Sequence, residues 1–260
     1  MELFLCLYII ANIFRELKMS KVVAVIPCRF ASVRLPAKPL LRESGMYLVE
    51  HVYRAVCRAK CLDTVVVATD DQRIFDAVIE FGGLCEMTSI MHKSGTDRLV
   101  EVASRVKGDI YVNVQGDEPE ISPDAIEEVV HILKNSNAPV GTLAYKITAE
   151  EAMNSNIVKV VCNSKNQALY FSRARIPYNR DNADNIEYLG HVGMYAYTRD
   201  FLVQYSNLGR SRLEEIEKLE QLRVLENGFS IVVGITNYRS HGIDTREDYD
   251  AFLKKWKENS

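Results

Sequence analysis

Ile26-Pro-Cys-Arg-Phe-Ala-Ser-Val-Arg-Leu-Pro-Ala-Lys-Pro-Leu40 is the stretch from which the fold can be read. It continues an apolar run, Val22–Ile26, that stops at Pro27, as a strand buried on both faces does when a residue without an N–H closes it. Arg29, Ser32, Arg34 and Lys38 then follow in a loop that also offers several backbone N–H groups. Three cations and a hydroxyl at the carboxyl end of a strand suit phosphate oxygens, because charge-assisted hydrogen bonds to phosphate are the strong kind. The competing reading is a solvated basic loop beside an ordinary turn. The loop alone does not separate the two.

Downstream, strand-like runs alternate with helical spacing. Val49, Val52, Tyr53 and Val56 share one face of a helix over 47–59, and Thr64–Ala68 is a second buried strand closed by Thr69-Asp-Asp71. A helix over 72–81 stops at Gly82-Gly83, a short strand covers 84–87, and a helix covers 96–106. Asp109–Val114 is a fourth strand, broken by Gln115-Gly-Asp-Glu-Pro119, and Ser122-Pro123 caps a helix that runs to Leu133. Short connections between alternating strands and helices predict an α/β chain with a doubly wound, mainly parallel Rossmann-like sheet. Ligands bind such sheets at the carboxyl ends of strands. The basic loop, Thr69-Asp70-Asp71 and Gln115-Gly116-Asp117 all fall there, which favours the phosphate reading.

From Pro139 the texture changes. Strands are expected near 141–145, 158–162, 168–172 and 191–197 without long helices between them, which predicts a smaller mixed or antiparallel lobe inserted in the second half. One helix is expected over 213–226, stopped by Asn227-Gly228, then a strand at 231–235 and a terminal helix through Trp256. The expected division is a nucleotide-binding α/β domain of 19–135 and 206–260, with the lobe at 136–205. Residues 1–18 stand apart. Leu3–Phe14 is apolar but too short to span a bilayer, and Glu2 sits where a signal peptide would be basic. They read as an extension upstream of a natural start at Met19, with an amphipathic helix as the alternative and no stable membrane insertion.

Composition narrows the classes further. The chain has 260 residues, 47% of them apolar, enough for one large domain with a sizeable core. A net charge of −3 argues against a nucleic-acid binder, so any anion site is a local concentration of charge. The cysteines are scattered, and Cys57 and Cys61 are four apart rather than three, so a C-x-x-C metal or redox pair is excluded. Free thiols in a reducing cytoplasm are expected.

Two carboxylates stand out as candidate catalytic and metal-binding groups. Asp117 follows a strand and a glycine, where a metal ligand commonly sits, and a triphosphate needs a divalent cation such as Mg²⁺ beside it. A plain turn-former is its other reading. Asp244, in Gly242-Ile-Asp-Thr245, is either a second ligand or the N-cap of the last helix. There is no G-x-x-x-x-G-K-[ST], no G-x-G-x-x-G after the first strand, no H-E-x-x-H and no G-x-S-x-G, so the Walker, dinucleotide, metalloprotease and hydrolase readings have no support.

The loop Ile26–Leu40 closely resembles the signature of the CMP-Kdo synthetase (3-deoxy-manno-octulosonate cytidylyltransferase) family. Thr69-Asp-Asp71, Met87-Thr-Ser89, Ser94-Gly-Thr-Asp-Arg98, Asn113-Val-Gln-Gly-Asp-Glu-Pro119, Ala168–Pro177, His191-Val-Gly-Met-Tyr195, Leu219–Arg223 and Gly242–Thr245 match it in order and spacing. The resemblance spans about 21–255. It implies transfer of CMP from CTP to the anomeric hydroxyl of 3-deoxy-D-manno-octulosonate (Kdo), with release of pyrophosphate, for lipopolysaccharide synthesis. It implies that Arg29, Ser32, Arg34 and Lys38 hold the CTP phosphates and that Gln115 lies beside the α-phosphate. Lys38, Asp117 and Asp244 would be catalytic, the two aspartates as Mg²⁺ ligands. His191, Tyr195, Glu220 and Gln221 would contact the sugar, with Arg173 and Arg175 as candidates for its carboxylate. Glu220 and Gln221, adjacent on one helix, could not both point straight into a single pocket. The smaller lobe would serve sugar binding and formation of a homodimer.

Departures from the pattern are Ala37, where the family usually has glycine, and Cys28, in place of a common alanine. The alternatives are the same chemistry on a related sugar acid (8-amino-Kdo or a sialic-type acid) or a non-catalytic nucleotide-binding module on this fold. Sialic-acid relatives lack the Arg-Leu-Pro-x-Lys-Pro form, and the presence of both aspartates favours an enzyme. A glycosyltransferase would normally show an Asp-x-Asp metal motif after a strand, and Gly116-Asp117-Glu118 does not supply one.

Overall fold

The computed structural model describes residues 20–31, 34–92, 94–181, 183 and 186–259. The extension 1–18 and Ser32 lie outside the described residues. The strands are β1 (Val22–Cys28), β2 (Thr64–Thr69), β3 (Cys85–Met87), β4 (Ile110–Asn113), β5 (Val140–Ile147), β6 (Lys159–Cys162), β7 (Ala168–Ser172), β8 (Tyr188–Thr198) and β9 (Ile231–Ile235). The central sheet runs β3-β2-β1-β4-β8-β5-β9, with β6 and β7 off this path. β1 pairs in parallel with β2 and β4, β2 with β3, and β5 with β9. β8 is antiparallel to both β4 and β5.

Each strand of the centre feeds both faces. Val22, Ala24 and Ile26 of β1 pack into one apolar layer, and Val23 and Val25 into the other, which is why the run is apolar without alternation. The first layer is completed by α1 (Leu48–Val56), α2 (Gln72–Glu80) and, after α3 (Gly95–Arg105), by α4 (Pro123–Lys134). The opposite layer takes α3, then α5 (Arg199–Tyr205). Beyond these come α6 (Arg212–Glu217), α7 (Gln221–Glu226) and α8 (Arg246–Asn259). α7 joins the layer of α3, and α8 packs its Tyr249, Phe252 and Leu253 with Leu48 in a satellite cluster. The sheet is doubly wound, as expected.

Pro27 does not end β1, which continues to Cys28. The last β1–β4 pair is Val25 with Asn113, and Val114 N–H donates to Val25 O (3.0 Å). Alternate residues of a strand address the same neighbour, so Pro27 faces the side on which β4 has ended, and its missing N–H leaves no partner unpaired.

The division at 136–205 does not survive as drawn. β5 and β8 lie inside the central sheet, because the long β8 returns antiparallel into the gap between β4 and β5. What lies off the central order is the β6–β7 hairpin between them, which β6 ties back to β8 through the Lys159–Gly190 pair. The buried Lys159 fastens this hairpin, donating from Nζ to the carbonyls of Asn154 (2.9 Å), Ile157 (2.6 Å) and Arg173 (2.7 Å).

The single helix expected over 213–226 is two. α6 ends at Lys218, which adopts a left-handed conformation (φ 55°), and α7 starts at Gln221. Helical periodicity continues through the break, but tertiary contacts prevail over it. Glu217 accepts from Ser172 Oγ (2.6 Å) and Arg173 N–H (2.9 Å), and its carbonyl accepts from Arg173 Nε (2.9 Å), so the end of α6 is tied to the end of β7.

Ala37 also takes a left-handed backbone (φ 53°, ψ 26°), just before the 3₁₀ turn Lys38–Leu40. A Cβ in that region costs about 1–2 kcal/mol, which explains the usual glycine. Ala37→Gly is therefore expected to raise unfolding free energy by roughly 0.5–1 kcal/mol, after allowing for the greater chain entropy of glycine. A lowered midpoint in urea or heat would contradict this account of the loop.

Candidate active site

The carboxyl ends of β1, β2 and β4 bring the expected polar clusters to one edge of the sheet, where two cavities adjoin. The smaller, about 220 Å³, is lined by Cys28, Arg29 and Ala31 after β1, by Lys38 and Pro39, and by Gln115, Gly116 and Asp117 after β4. The larger, about 330 Å³, is walled by α3, β8, α5 and α7 and also contains Gln115. Gln115 is the seam between them. Gly116 lets the two loops meet, since a Cβ there would stand 2.6 Å from Cys28 Sγ and 2.7 Å from Pro27 O.

Lys38 is the centre of the smaller cavity. Its ammonium, almost enclosed, donates to Asp117 Oδ2 (2.6 Å), to the carbonyl of Ile243 (2.7 Å) and to Asp244 Oδ1 (3.2 Å). Arg34 pairs with the other oxygen of Asp244 (2.9 Å). Ile243 N–H donates to Asp117 O (2.9 Å), so the loops after β4 and before α8 are also joined through backbone. The two readings of Asp244 are resolved by its neighbours. Asp248 accepts from the N–H groups of Asp244 and Thr245, and Thr245 Oγ1 accepts from Asp248 N–H. Thr245 and Asp248 thus cap α8, which leaves the Asp244 carboxylate for Lys38 and Arg34.

Glu118 supports the loop from behind. It is buried, accepts from the Tyr238 hydroxyl (3.2 Å), and burial pushes its carboxyl up to about 7. Asp70 and Asp71, the polar cluster after β2, are likewise held. Asp71 caps α2, and Asp70 pairs with the fully buried Arg98 (2.5 Å), whose Nη1 also donates to Thr88 Oγ1 (2.7 Å).

A bulge shapes the larger cavity. β5–β8 pairing jumps from Thr142–Tyr195 to Leu143–Val192, leaving Gly193 and Met194 unmatched. Thr142 Oγ1 donates to Met194 O (2.8 Å) and lies 2.9 Å from His191 Nε2. With that hydroxyl proton committed to the carbonyl, the imidazole donates through Nε2. The bulge turns Gly193 O toward Gln115, which donates to it (3.0 Å). Burial drives His191 down to about 3, so the ring is neutral.

His191, Tyr195, Glu220 and Gln221 all line the larger cavity. The break after α6 is what lets adjacent Glu220 and Gln221 both face it, since Glu220 no longer sits inside a continuous helix. Arg173 and Arg175 are not among its lining residues. Arg173 is committed to the carbonyls of Glu217 and Ser155, and Arg175 lies over the ring of Tyr188 (5.9 Å). The expected role in holding a carboxylate has no support in this arrangement.

Thr96, Asn113, Tyr197 and Tyr205 also line the cavity, and the sequence did not single them out. Asn113 is 4% exposed, and its Oδ1 has no hydrogen-bond partner among the described residues. An asparagine at the carboxyl end of a buried strand was the available signal. Tyr205 lay in a region without a motif.

A family model described as cytidylyltransferase matches residues 23–231. A 3-deoxy-manno-octulosonate cytidylyltransferase of Geotalea uraniireducens is 45% identical over 249 residues, covering 91% of this chain and 99% of the relative. One from Escherichia coli is 48% identical over 228 residues, covering 87% and 92%. The solved structure of CMP:2-keto-3-deoxy-manno-octonic acid synthetase complexed with CTP superposes with a TM-score of 0.89 at 44% identity, over 93% of this chain and 100% of that one. The inositol-1-phosphate CTP transferase from T. maritima, at 14% identity and a TM-score of 0.65, shares the fold. With this likeness along nearly the whole chain, and two adjoining cavities at the sheet edge, the chain belongs to the 3-deoxy-manno-octulosonate cytidylyltransferase family.

Proposed function

We propose that this chain transfers CMP from CTP to the anomeric hydroxyl of Kdo, releasing pyrophosphate, in lipopolysaccharide synthesis. The observation that carries the reading is the pair of cavities meeting at Gln115, a basic one bearing Lys38 and Arg29 and a polar one bearing His191, Tyr195, Glu220 and Gln221. CTP takes the first, with Arg29, Arg34 and Lys38 on its phosphates. The sugar acid takes the second, with its anomeric oxygen toward the seam. The new bond forms between that oxygen and the α-phosphorus, the bond to the bridging oxygen of pyrophosphate breaks, and the hydroxyl proton is lost. Holding both reactants in line supplies much of the acceleration. The cations offset the repulsion between phosphates and nucleophile and stabilise the charge passing to pyrophosphate.

Asp117 and Asp244 fit a magnesium site. Their oxygens and the Ile243 carbonyl converge on one point, now marked by the Lys38 ammonium, and all three are hard oxygen donors. Among the described residues no group of three acidic, histidine or cysteine side chains converges, so the two aspartates are the only side-chain ligands proposed. Two carboxylates, with phosphate and water oxygens completing the shell, match the usual demand of Mg²⁺. Bound there, Mg²⁺ would screen the triphosphate and stabilise negative charge on the α-phosphate. Lys38 and a divalent cation cannot share that point, so Lys38 releases the carboxylates and turns to phosphate oxygens as the nucleotide enters.

The cytoplasm is the proposed compartment, consistent with the free thiols at Cys28, Cys57, Cys61, Cys85 and Cys162 and with CTP as substrate. No helix among the described residues is long and apolar enough to cross a membrane. A homodimer is proposed through the segment between β5 and β8, where the apolar side chains of Leu169 and Tyr178 are exposed, as is that of Ile216 on α6.

Pyrophosphate release from CTP, measured with Kdo, 8-amino-Kdo and sialic acid in turn, tests the reading. Release is expected with Kdo, and Asp117→Asn or Asp244→Asn should each cut it by about 100-fold or more with the fold intact. Release with none of the three acids would defeat the assignment, and near-normal turnover of either variant would remove that residue from the metal site.

His191 gives a separate expectation. Its folded pKa lies below that of the unfolded chain, so its contribution to stability is complete above about pH 6.5. That contribution is lost as the pH falls from there toward 3. NMR titration of the imidazole should show no protonation between pH 8 and 5. A midpoint near 6.5 would contradict the buried, neutral ring.

A further inference from the structure

Among the described residues Glu220 is the one acidic side chain lining the larger cavity, and no lysine or arginine lines it. A lone carboxylate beside Tyr195, Tyr197 and Tyr205 would be drawn back toward water unless donors held it. Two hydroxyls do so. Tyr205 donates to Glu220 Oε1 (2.5 Å) from α5, and Ser94 donates to the same oxygen (3.3 Å) from the start of α3. Oε2 takes no hydrogen bond among the described residues. We propose that Tyr205 and Ser94 are positioning residues. They fix the Glu220 carboxylate in one orientation, so that its second oxygen accepts from a hydroxyl on the polyol end of the sugar acid. The inference rests on the larger cavity being the sugar site.

The surroundings of Tyr205 suit that task. Tyr195, Tyr197, Phe201 and Tyr205 follow one another with ring centroids 5.8, 6.1 and 5.9 Å apart, a ladder from β8 into α5 that sets where the last hydroxyl points. Arg223 lies over the Tyr205 ring (4.9 Å) and is itself fixed by two hydrogen bonds to Glu214 (2.8 and 2.5 Å). The Arg223 guanidinium is thereby kept on the ring, so hydroxyls rather than a cation orient Glu220. A carboxylate held by hydroxyls keeps its remaining oxygen free to accept from sugar hydroxyls. Ser94 also caps α3 in a capping box with Asp97, which ties the position of Glu220 to the start of α3.

The test is steady-state kinetics on Tyr205→Phe, Glu220→Gln and the double variant, with thermal midpoints. Tyr205→Phe keeps the ring and its stacking. Its KM for Kdo is expected to rise about tenfold, with the KM for CTP and the thermal midpoint little changed, since a hydrogen bond to a charged group is lost. The double variant should be no worse than Glu220→Gln alone, because both remove one interaction. Ser94→Gly is the second probe. Glycine is tolerated at an N-cap, and this variant should also raise the KM for Kdo. A defect in Glu220→Gln with no change in Tyr205→Phe and Ser94→Gly would overturn the positioning role and leave the sugar site standing. Full additivity in the double variant would overturn it as well. Unchanged KM for Kdo in all four would sink the sugar-site reading itself.

Discussion

One ammonium group holds the nucleotide side of this molecule together. Lys38 joins the loop after β1 to Asp117 after β4 and to Ile243 and Asp244 before α8, so segments far apart in the chain meet at one nitrogen. Without a positive charge between them, the two carboxylates would repel across a partly dehydrated gap. The backbone is fitted to the same end. Gly116 admits the β1 loop, Ala37 accepts a left-handed turn to aim Lys38, and Thr245 with Asp248 caps α8 so that Asp244 is spared. On the proposed reading, the arrangement that joins these loops in the free protein is the one that a metal–nucleotide complex would displace.

The larger cavity, proposed for the sugar, depends on irregularities rather than on charge. The β8 bulge re-aims Gly193 O toward Gln115, and the break between α6 and α7 presents Glu220 and Gln221 together. Both are departures from regular pairing placed beside the chemistry, and both are fixed by side chains, Thr142 in one case and Glu217 in the other. Gln115 lines both cavities, and on the proposed reading it marks where the reacting oxygen and phosphorus would meet.

The parallel half of the fold was legible because it is written in local pattern. The fully apolar β1 and β2, the capped helices and the polar residues at strand ends follow from periodicity and turn chemistry. Lys38, Asp117 and Asp244 were legible as residue types but not as a contact, since their meeting depends on loops more than 200 residues apart in the extreme case. β5 and β8 were read as strands, yet their place in the main sheet was not, because antiparallel insertion is set by long-range pairing. The split of 213–226 carries no local signal, as its cause is the tie of Glu217 to Ser172 and Arg173. Arg173 looked like a ligand for an anion because it is an arginine in a matched motif. Its donors are taken by backbone carbonyls.

Binding of Mn²⁺ in place of Mg²⁺, followed by electron paramagnetic resonance with and without CTP, addresses the exchange at Lys38 most directly. The account predicts weak binding of Mn²⁺ to the free protein, tight binding once CTP is present, and a gain of nucleotide-independent binding in Lys38→Met. Equally tight binding of Mn²⁺ with and without CTP in the unaltered protein would contradict it.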